Sequence, residues 1–235
     1  MRRELAMAAY DYYTLLARGH RHRDRILALL AATYRLTTEE KAFLKRCIHT
    51  PTDSANTIKK IITPEEAHGK TLIIDLPNQA SPIKAVLTRP NHIVAKCTDG
   101  LTRDSALGAT RPTPRDTKVY KVIAEALKTI KPAKTIIIID AAIPHSGETA
   151  STIRRMIPNA ITATSRRADT TIILRAARSN DTVVASSDIV IARRTKRLLD
   201  LSALAIENIM GRKITDLRRI LISQHAEWCS KGMGP

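Results

Sequence analysis

The chain has 235 residues and a mass of 26.0 kDa, enough for one α/β domain of ordinary size and a small helical module. It carries 39 Lys and Arg residues against 22 acidic ones, so its formal net charge is +17. This balance makes a polyanion the expected partner. No apolar stretch approaches the roughly 18 residues of a membrane span, and no leader-like segment is present. We therefore expect a cytoplasmic protein with no membrane partner.

The first 50 residues are predicted to form a helical N-terminal module. Apolar residues recur at spacings of three and four in residues 5–16 and again in residues 26–32, which indicates amphipathic helices. Gly19 suits a helix C-cap, and Thr37 with Glu40 has the spacing of a capping box. Residues 51–69 contain two prolines and are predicted to be a linker with one short helix.

Residues 70–210 are predicted to form an α/β domain, followed by a C-terminal helix and tail in residues 211–235. Short β-branched runs alternate with stretches that can be helical, and runs that are apolar on both faces are typical of parallel strands buried between helix layers. The runs are residues 71–74, 93–95, 135–139, 160–163 and 182–185. The best-marked helices are residues 116–130, 147–157 and 168–178.

Four aspartates are predicted to converge at one edge of this sheet. Asp75 and Asp140 end the first and third runs, Asp188 closely follows the fifth, and Asp169 opens the helix after the fourth. Ligands of an open parallel sheet bind outside the carboxyl ends of its strands. One aspartate in such a place is usually a turn or helix cap. Four together would repel one another unless a cation neutralised them.

Magnesium or manganese is the predicted cofactor, because hard divalent ions bind carboxylate oxygens. Such an ion activates a bound water and stabilises negative charge on a phosphate, which is the chemistry of a phosphodiesterase. The sequence has no GxxxxGK loop followed by Ser or Thr, no HExxH and no GxSxG. Nucleotide triphosphatase, zinc protease and α/β-hydrolase functions therefore have no motif support.

The acidic residues resemble, in order and spacing, the signature of PIN/NYN-type nucleases. The residues that carry the resemblance are Ile-Asp75-Leu-Pro-Asn78, Ile-Asp140, Ala-Asp169 and Ser-Ser-Asp188. In those nucleases the first aspartate is typically followed by an asparagine three residues on, and the last follows a strand ending in Thr/Ser-Ser. The sequence departs from the pattern at Leu76-Pro77, where glycine followed by an aromatic residue is usual.

Other stretches are similar to the uncharacterised, largely archaeal family called domain of unknown function 434. They are Ala9-Tyr-Asp-Tyr-Tyr-Thr-Leu-Leu-Ala-Arg-Gly19, Tyr34-Arg-Leu-Thr37 and Asp99-Gly-Leu-Thr-Arg-Asp104. This resemblance covers nearly the whole chain. It includes Ser146-Gly-Glu148, which is expected to add a carboxylate and a helix N-terminus beside Asp140.

Together the resemblances imply a PIN-like three-layer α/β/α fold with a central parallel sheet behind the helical module. The leading hypothesis is a metal-dependent ribonuclease or PIN-like RNA-processing protein, in which the four aspartates bind Mg²⁺ or Mn²⁺ while Asn78 and Glu148 assist. RNA is preferred over DNA from the class resemblance alone. Ribosomal RNA, transfer RNA and the ribosome are the candidate partners.

Basic clusters are usually solvated faces, but here their number favours contacts with phosphate. Ser146 adds free N–H groups at a helix N-terminus, which suit phosphate or plain capping. The residues predicted to contact nucleic acid are Arg18, Arg21, Arg23, Arg103, Ser146, Arg166, Arg167, Arg193 and Arg194.

Two further hypotheses remain open at this point. One is a non-catalytic RNA- or ribosome-associated protein with a degenerate pocket, in which the N-terminal helices and their basic turn bind RNA. The other is a protein-interaction module, which leaves the charge unexplained. Asp99 and Asp104 fit either a turn or the site. The three cysteines lack metal or disulfide spacing and are predicted to be small buried residues.

Overall fold

A computed structural model describes residues 1–89, 91–106 and 108–230, with the side chain of Trp228 left out. The helices are α1 (Arg3–Ala17), α2 (Arg23–Thr33), α3 (Thr38–Cys47), α4 (Pro51–Ile58), α5 (Pro64–Ala67), α6 (Leu76–Thr88), α7 (Thr117–Ile130), α8 (Ser146–Met156), α9 (Ala168–Ala176), α10 (Ile189–Arg194), α11 (Leu201–Leu204) and α12 (Leu217–Ser230). The strands are β1 (Thr71–Asp75), β2 (Val94–Lys96), β3 (Thr102–Asp104), β4 (Lys134–Asp140), β5 (Ala160–Ser165), β6 (Thr182–Ala185) and β7 (Thr215–Asp216). A π-helical turn, Ala205–Ile209, continues α11.

The N-terminal helices begin and end where their capping residues predict. Gly19, just after α1, has a φ of +89°, a conformation that glycine adopts without strain. The side chain of Thr37 accepts the Glu40 amide, and the Glu40 side chain accepts the Thr37 amide, so the predicted capping box is confirmed. The Thr50 side chain accepts the Asp53 N–H to cap α4, with Pro51 in the first turn of that helix.

The predicted central parallel sheet is confirmed and has four strands in the order β5-β4-β1-β6. All of its pairings are parallel. Alternate side chains of the central strands enter different apolar clusters: Leu72 and Ile74 pack with α7 and α8, whereas Ile73 packs with α9 and α10. Helices therefore cover both faces of the sheet.

The run at residues 93–95 was wrongly predicted as a strand of the central sheet. It forms β2, which pairs antiparallel with β3 and parallel with β7 in a second, three-stranded sheet. The physical reason is that β2 is only three residues long, and so short a run does not distinguish a central strand from a hairpin arm. The chain turns back at Asp99-Gly100, and β3 begins at Thr102.

The N-terminal helices share their apolar core with distant parts of the chain. Leu5, Tyr12 and Phe43 belong to a buried cluster that also contains residues of β2 and Leu217 of α12. Removing a large apolar side chain from water contributes roughly 1.5–3 kcal/mol, so this shared cluster binds α12 firmly to α1. No helix within the described ranges is long and apolar enough to cross a membrane.

The prediction for the cysteines requires a correction. Cys47, at the end of α3, and Cys97, just after β2, form a disulfide across a sequence separation of 50. Both are fully buried, whereas Cys229 is exposed. The pairing was missed because nothing in the spacing of three cysteines indicates which two will meet in the fold.

Candidate active site at the sheet edge

The carboxyl ends of the central strands bring acidic side chains to one edge. Asp75 ends β1 and Asp140 ends β4. Asp188 is the N-cap of α10, shortly after β6, and Asp169 lies in the first turn of α9. The strand order reverses between β1 and β6, which is where open α/β sheets bind ligands. We call these four aspartates the acidic edge.

Asp75 is the buried member of the acidic edge, with 3% of its surface exposed. Its Oδ2 accepts hydrogen bonds from the Asn78 amide and the Ser186 hydroxyl, both at 2.6 Å. Burial raises the pKa of Asp75 to about 6; these two hydrogen bonds oppose the rise, and the charges of Asp188 and Asp169 add to it. The carboxyl group is therefore mostly ionised only above about pH 6.

Ser186 connects Asp75 to Asp188. Its Oγ donates to Asp75 and accepts the backbone N–H of Asp188 at 3.1 Å. Asp188 in turn uses Oδ1 to cap α10, accepting the N–H groups of Val190 and Ile191 at 2.7 and 3.0 Å. Among the described residues, no donor reaches its Oδ2. That oxygen is available to a ligand.

Asp140 and Asp169 extend the acidic edge toward β5. Oδ1 of Asp140 accepts the Ala142 N–H at 2.9 Å, which orients the carboxylate. The pKa of Asp169 is raised by desolvation and then by the charges of Asp188 and Asp140. Within residues 1–89, 91–106 and 108–230, no three His, Cys, Asp or Glu side chains are close enough to hold one metal ion together. The acidic edge is thus a loose cluster, in which like charges act between Asp188 and Asp75, between Asp188 and Asp169, and between Asp140 and Asp169.

The two predicted assisting residues have different surroundings. Asn78 is in contact with Asp75 through the hydrogen bond described above. Glu148 instead bonds to Nδ1 of His145 at 2.9 Å, and 69% of its side chain is exposed. Ser146 starts α8, and its hydroxyl is 3.5 Å from the Ala141 carbonyl oxygen. Of Asn78, Glu148 and Ser146, Asn78 alone is joined to the acidic edge by a hydrogen bond within the described part of the chain.

Four of the predicted RNA-contacting arginines lie on elements that carry the acidic edge. Arg166 and Arg167 are exposed in the turn before α9, close in sequence to Asp169. Arg193 and Arg194 are exposed at the end of α10, although Arg193 pairs with Asp53 at 3.1 Å. Arg166 and Arg167 are therefore exposed close in sequence to Asp169, and Arg194 is exposed on the helix that Asp188 caps.

The remaining arginines are distributed between the surface and the interior. Arg18 and Arg21 are exposed around the turn after α1. Arg23 is half-buried and donates to the Tyr12 hydroxyl at 2.8 Å and the Ile48 carbonyl at 2.6 Å. The side chain of Arg103 is 8% exposed and forms an ion pair with Asp99. Arg23 and Arg103 thus donate to groups inside the protein, and their contact with RNA stays a prediction.

Asp99 and Asp104, which fitted either a turn or the site, are both buried and hold loops. Oδ1 of Asp99 accepts the Leu101 N–H at 3.2 Å, within the turn between β2 and β3. Oδ1 of Asp104 accepts the Ala106 N–H at 2.8 Å. Ser186 is the site residue not singled out from the sequence, although the Ser-Ser preceding Asp188 was the signal that marks it.

Comparison with known proteins identifies families by sequence. Residues 64–204 match the family described as Domain of unknown function (DUF5616), and residues 4–60 match Protein of unknown function (DUF434). The expected similarity to the second family is thus confirmed for the helical N-terminal region and does not extend over nearly the whole chain.

A relative among curated proteins supports the same grouping. Uncharacterized protein MJ0935 of Methanocaldococcus jannaschii is 29% identical over 206 residues, which cover 85% of this chain and 95% of the relative. No solved structure matches the chain. The match over residues 64–204, more than half of the sequence, shows that the chain belongs to the DUF5616 family and carries a DUF434 segment before it.

Proposed function

We propose that the protein is a divalent-metal-dependent ribonuclease with a PIN-like domain, and that the acidic edge is its active site. The observation that carries this proposal is that the carboxyl ends of β1, β4 and β6 and the first turn of α9 bring four aspartates to one edge of the sheet. The chain has a formal net charge of +17, yet no Lys or Arg among the described residues forms an ion pair with any of the four. Their collection at a ligand-binding edge without such partners favours an external cation.

The donor set fits magnesium or manganese. Mg²⁺ is usually held by only one or two carboxylates and keeps several waters, so a loose arrangement of acids suffices. Asp75 and Asp188 are the best pair of metal ligands, because Ser186 links them. In addition, no donor among the described residues hydrogen-bonds to Oδ2 of Asp188. Because no three described carboxylates are close enough to share one ion, Asp140 and Asp169 would act on it through the waters that it keeps. When bound, the ion would activate water and stabilise charge on the phosphate.

The protein's own residues orient the carboxylates. Asn78 and Ser186 fix the same oxygen of Asp75, Oδ2, leaving the other oxygen for a ligand. The α10 N-terminus fixes Asp188 through its backbone N–H groups. Because the pKa of Asp75 is raised to about 6, binding of a cation is expected to strengthen as the pH rises through 6.

RNA as the substrate follows from the PIN/NYN resemblance of the four aspartates and Asn78. Arg166, Arg167 and Arg194, exposed on the elements that carry the acidic edge, supply positive charge for the phosphate backbone. The strand order β5-β4-β1-β6 supports a PIN-like assignment by placing the first aspartate beside the reversal. Ribosomal or transfer RNA would be the natural substrate class for a protein of this charge.

The first experiment is calorimetric titration of the purified protein with MnCl₂ and MgCl₂ at pH 7.5. The wild type should bind, and the Asp140→Asn, Asp188→Asn double variant should not. Asp181→Asn is the matched control, since Asp181 immediately precedes β6 and so lies at the opposite end of that strand from Asp188. Absence of binding to the wild type would overturn the metal site.

Cleavage is tested next with labelled single-stranded and structured RNA in MnCl₂. The wild type should release products that disappear with EDTA and in the double variant, while Asp181→Asn remains active. The double variant should still bind RNA, because removing two negative charges reduces repulsion of phosphate. A preparation whose cleavage survives both EDTA and the double substitution contains a contaminating nuclease, and the proposal would lose its support.

A second candidate function is RNA binding without catalysis, favoured by a cavity of about 1020 Å³ between α1, α4 and α12. Its wall includes Tyr10, Tyr13 and Arg18, which combine aromatic faces and positive charge as single-stranded RNA binders do. Under this function, Tyr13→Ala and Arg18→Glu should weaken RNA binding in EDTA, whereas the double variant of the acidic edge should not. If the double variant weakened RNA binding and the two cavity variants did not, the cavity would be excluded as the RNA-binding site.

A further inference from the structure

A buried ion pair lies behind the acidic edge. Nη1 and Nη2 of Arg103 donate to Oδ1 and Oδ2 of Asp99 at 2.8 and 2.7 Å. The two side chains are 8% and 1% exposed. The bidentate geometry is the strong form of the interaction between arginine and a carboxylate. It also fixes the plane of the guanidinium group, so the direction of the Nε–H donor is fixed.

The Nε–H group of Arg103 reaches the backbone just before Asp188. Nε of Arg103 donates to the backbone carbonyl of Ser187 at 2.9 Å, across 84 positions of sequence. Ser187 lies between Ser186, which bonds to Asp75, and Asp188 itself. The hydroxyl of Ser187 also lies 3.4 Å from the Asn78 carbonyl oxygen. The Arg103 guanidinium group therefore holds the backbone segment that carries Asp188 and Ser186, the residue that hydrogen-bonds to Asp75.

The other side of the pair reaches the N-terminal helices. Nε2 of His49 is 3.3 Å from Oδ2 of Asp99, and both side chains are buried. The His49 backbone N–H donates to the Thr98 hydroxyl at 2.9 Å. The disulfide between Cys47 and Cys97 connects the same two segments covalently. The turn that carries Asp99 is consequently fixed to the end of α3.

We infer that Arg103 is a positioning residue for the acidic edge, holding Ser187 so that Ser186 and Asp188 keep their places beside Asp75. This inference rests on the proposed function for its effect on metal binding. Arginine suits the task because its planar fork spans the Asp99 carboxylate and the Ser187 carbonyl together, whereas a lysine ammonium presents a single point of charge. The contact itself is a structural link that is measurable without any metal.

Stability alone does not account for this arrangement. A buried ion pair is often no more stabilising than apolar residues of similar volume. The ion pair nevertheless leaves Nε of Arg103 to donate to the Ser187 carbonyl, in the loop that precedes α10. Residues that orient ligating carboxylates typically change metal affinity by about 10- to 100-fold when they are replaced.

The test compares Arg103→Met and Arg103→Lys with Arg46→Met in the full chain. Arg46 is the matched control, because its half-buried guanidinium donates to the Asp104 carbonyl at 2.6 Å and makes no hydrogen bond to the acidic edge. The first measurement is hydrogen exchange of residues 186–191 without metal. The second is Mn²⁺ affinity at pH 7.5, alongside the unfolding midpoint of each variant.

Both Arg103 variants should speed exchange in residues 186–191 at least about tenfold more than Arg46→Met does, and should weaken Mn²⁺ binding by about tenfold or more. Arg46→Met should lose stability and keep its Mn²⁺ affinity. Unchanged exchange in both Arg103 variants would overturn the inference. If Arg103→Met fails to fold, Arg103→Lys decides, since it retains the charge. A wild type that binds no Mn²⁺ removes the proposed function, while the exchange result still judges Arg103.

Discussion

Asp75 and Asp99 are both almost completely buried, at 3% and 1% exposure, yet their surroundings have opposite effects. Arg103 holds the pKa of Asp99 below its usual value despite burial. Among the described residues no cation pairs with Asp75, so burial and the neighbouring carboxylates raise its pKa to about 6. The difference shows that the partner, rather than burial alone, decides whether a buried acid is a structural charge or a charge kept for a ligand.

The largest expected effect is the loss of the structural charge. Asp99→Asn leaves the Arg103 guanidinium buried without its counter-charge and should destabilise the protein by about 3–5 kcal/mol, measured by urea unfolding at pH 7.5. Asp181→Asn, at a side chain that is 78% exposed, should change stability by less than about 0.5 kcal/mol. Equal effects of the two substitutions would refute the distinction.

Next in size is the covalent link on the Asp99 side. The Cys47–Cys97 disulfide spans a sequence separation of 50, and the chain-entropy model gives about 4 kcal/mol for a loop of that length. The Cys47→Ser, Cys97→Ser variant should lose about this much, and a reductant should lower the stability of the wild type alone. Cys229→Ser is the control, because Cys229 is exposed and free. A reductant without effect on the wild type would contradict the prediction.

Asp75 should show an effect of the opposite sign. Its pKa is raised to about 6 in the folded state, so the folded protein binds the proton more tightly than the unfolded chain, and stability from this group falls as pH rises from about 4 to 6. Asp75→Asn removes this loss and should stabilise the metal-free protein at pH 8 by up to about 3 kcal/mol. Mn²⁺ should stabilise the wild type but not the variant. A variant less stable than the wild type at pH 8 would contradict the prediction.

The smallest effect concerns His49, which faces Asp99. Burial lowers the pKa of His49 to about 4, so the unfolded chain takes up the proton first, and stability is lost as pH falls from about 6.5 to 4. His49→Gln should reduce the difference in unfolding free energy between pH 7 and pH 5 by about 1–2 kcal/mol. Urea unfolding at the two pH values measures it. An unchanged difference would show that His49 carries a proton in the folded protein.

The sequence predicted those parts of the fold in which one segment carries the whole signal. β4 was predictable because Ile136, Ile137, Ile138 and Ile139 are apolar on both faces, as a strand buried between helix layers requires. β3 and β7 were not, because Thr-Arg-Asp and Thr-Asp have no apolar pattern. Their pairing with β2 depends on tertiary contacts that no local periodicity encodes.

The same limit applies to the candidate site. The positions of Asp75 and Asp140 followed from strand ends, which local sequence shows. The partners of Arg103 did not, because the Ser187 carbonyl that it contacts is 84 positions away. An arginine that is buried in a bidentate pair and one that faces solvent look alike in a basic sequence, so Arg103 was predicted to contact RNA.

The apolar cluster shared by α1 and α12 has a consequence for folding during synthesis. Leu5 and Tyr12 complete their burial against Leu217 and Leu221, which the ribosome adds roughly 10–40 s later at about 5–20 residues per second. The helix synthesised first, α1, is therefore without its packing partner α12 for nearly the whole time of synthesis. A nascent or stalled chain exposes the apolar face of α1 to chaperones until α12 emerges.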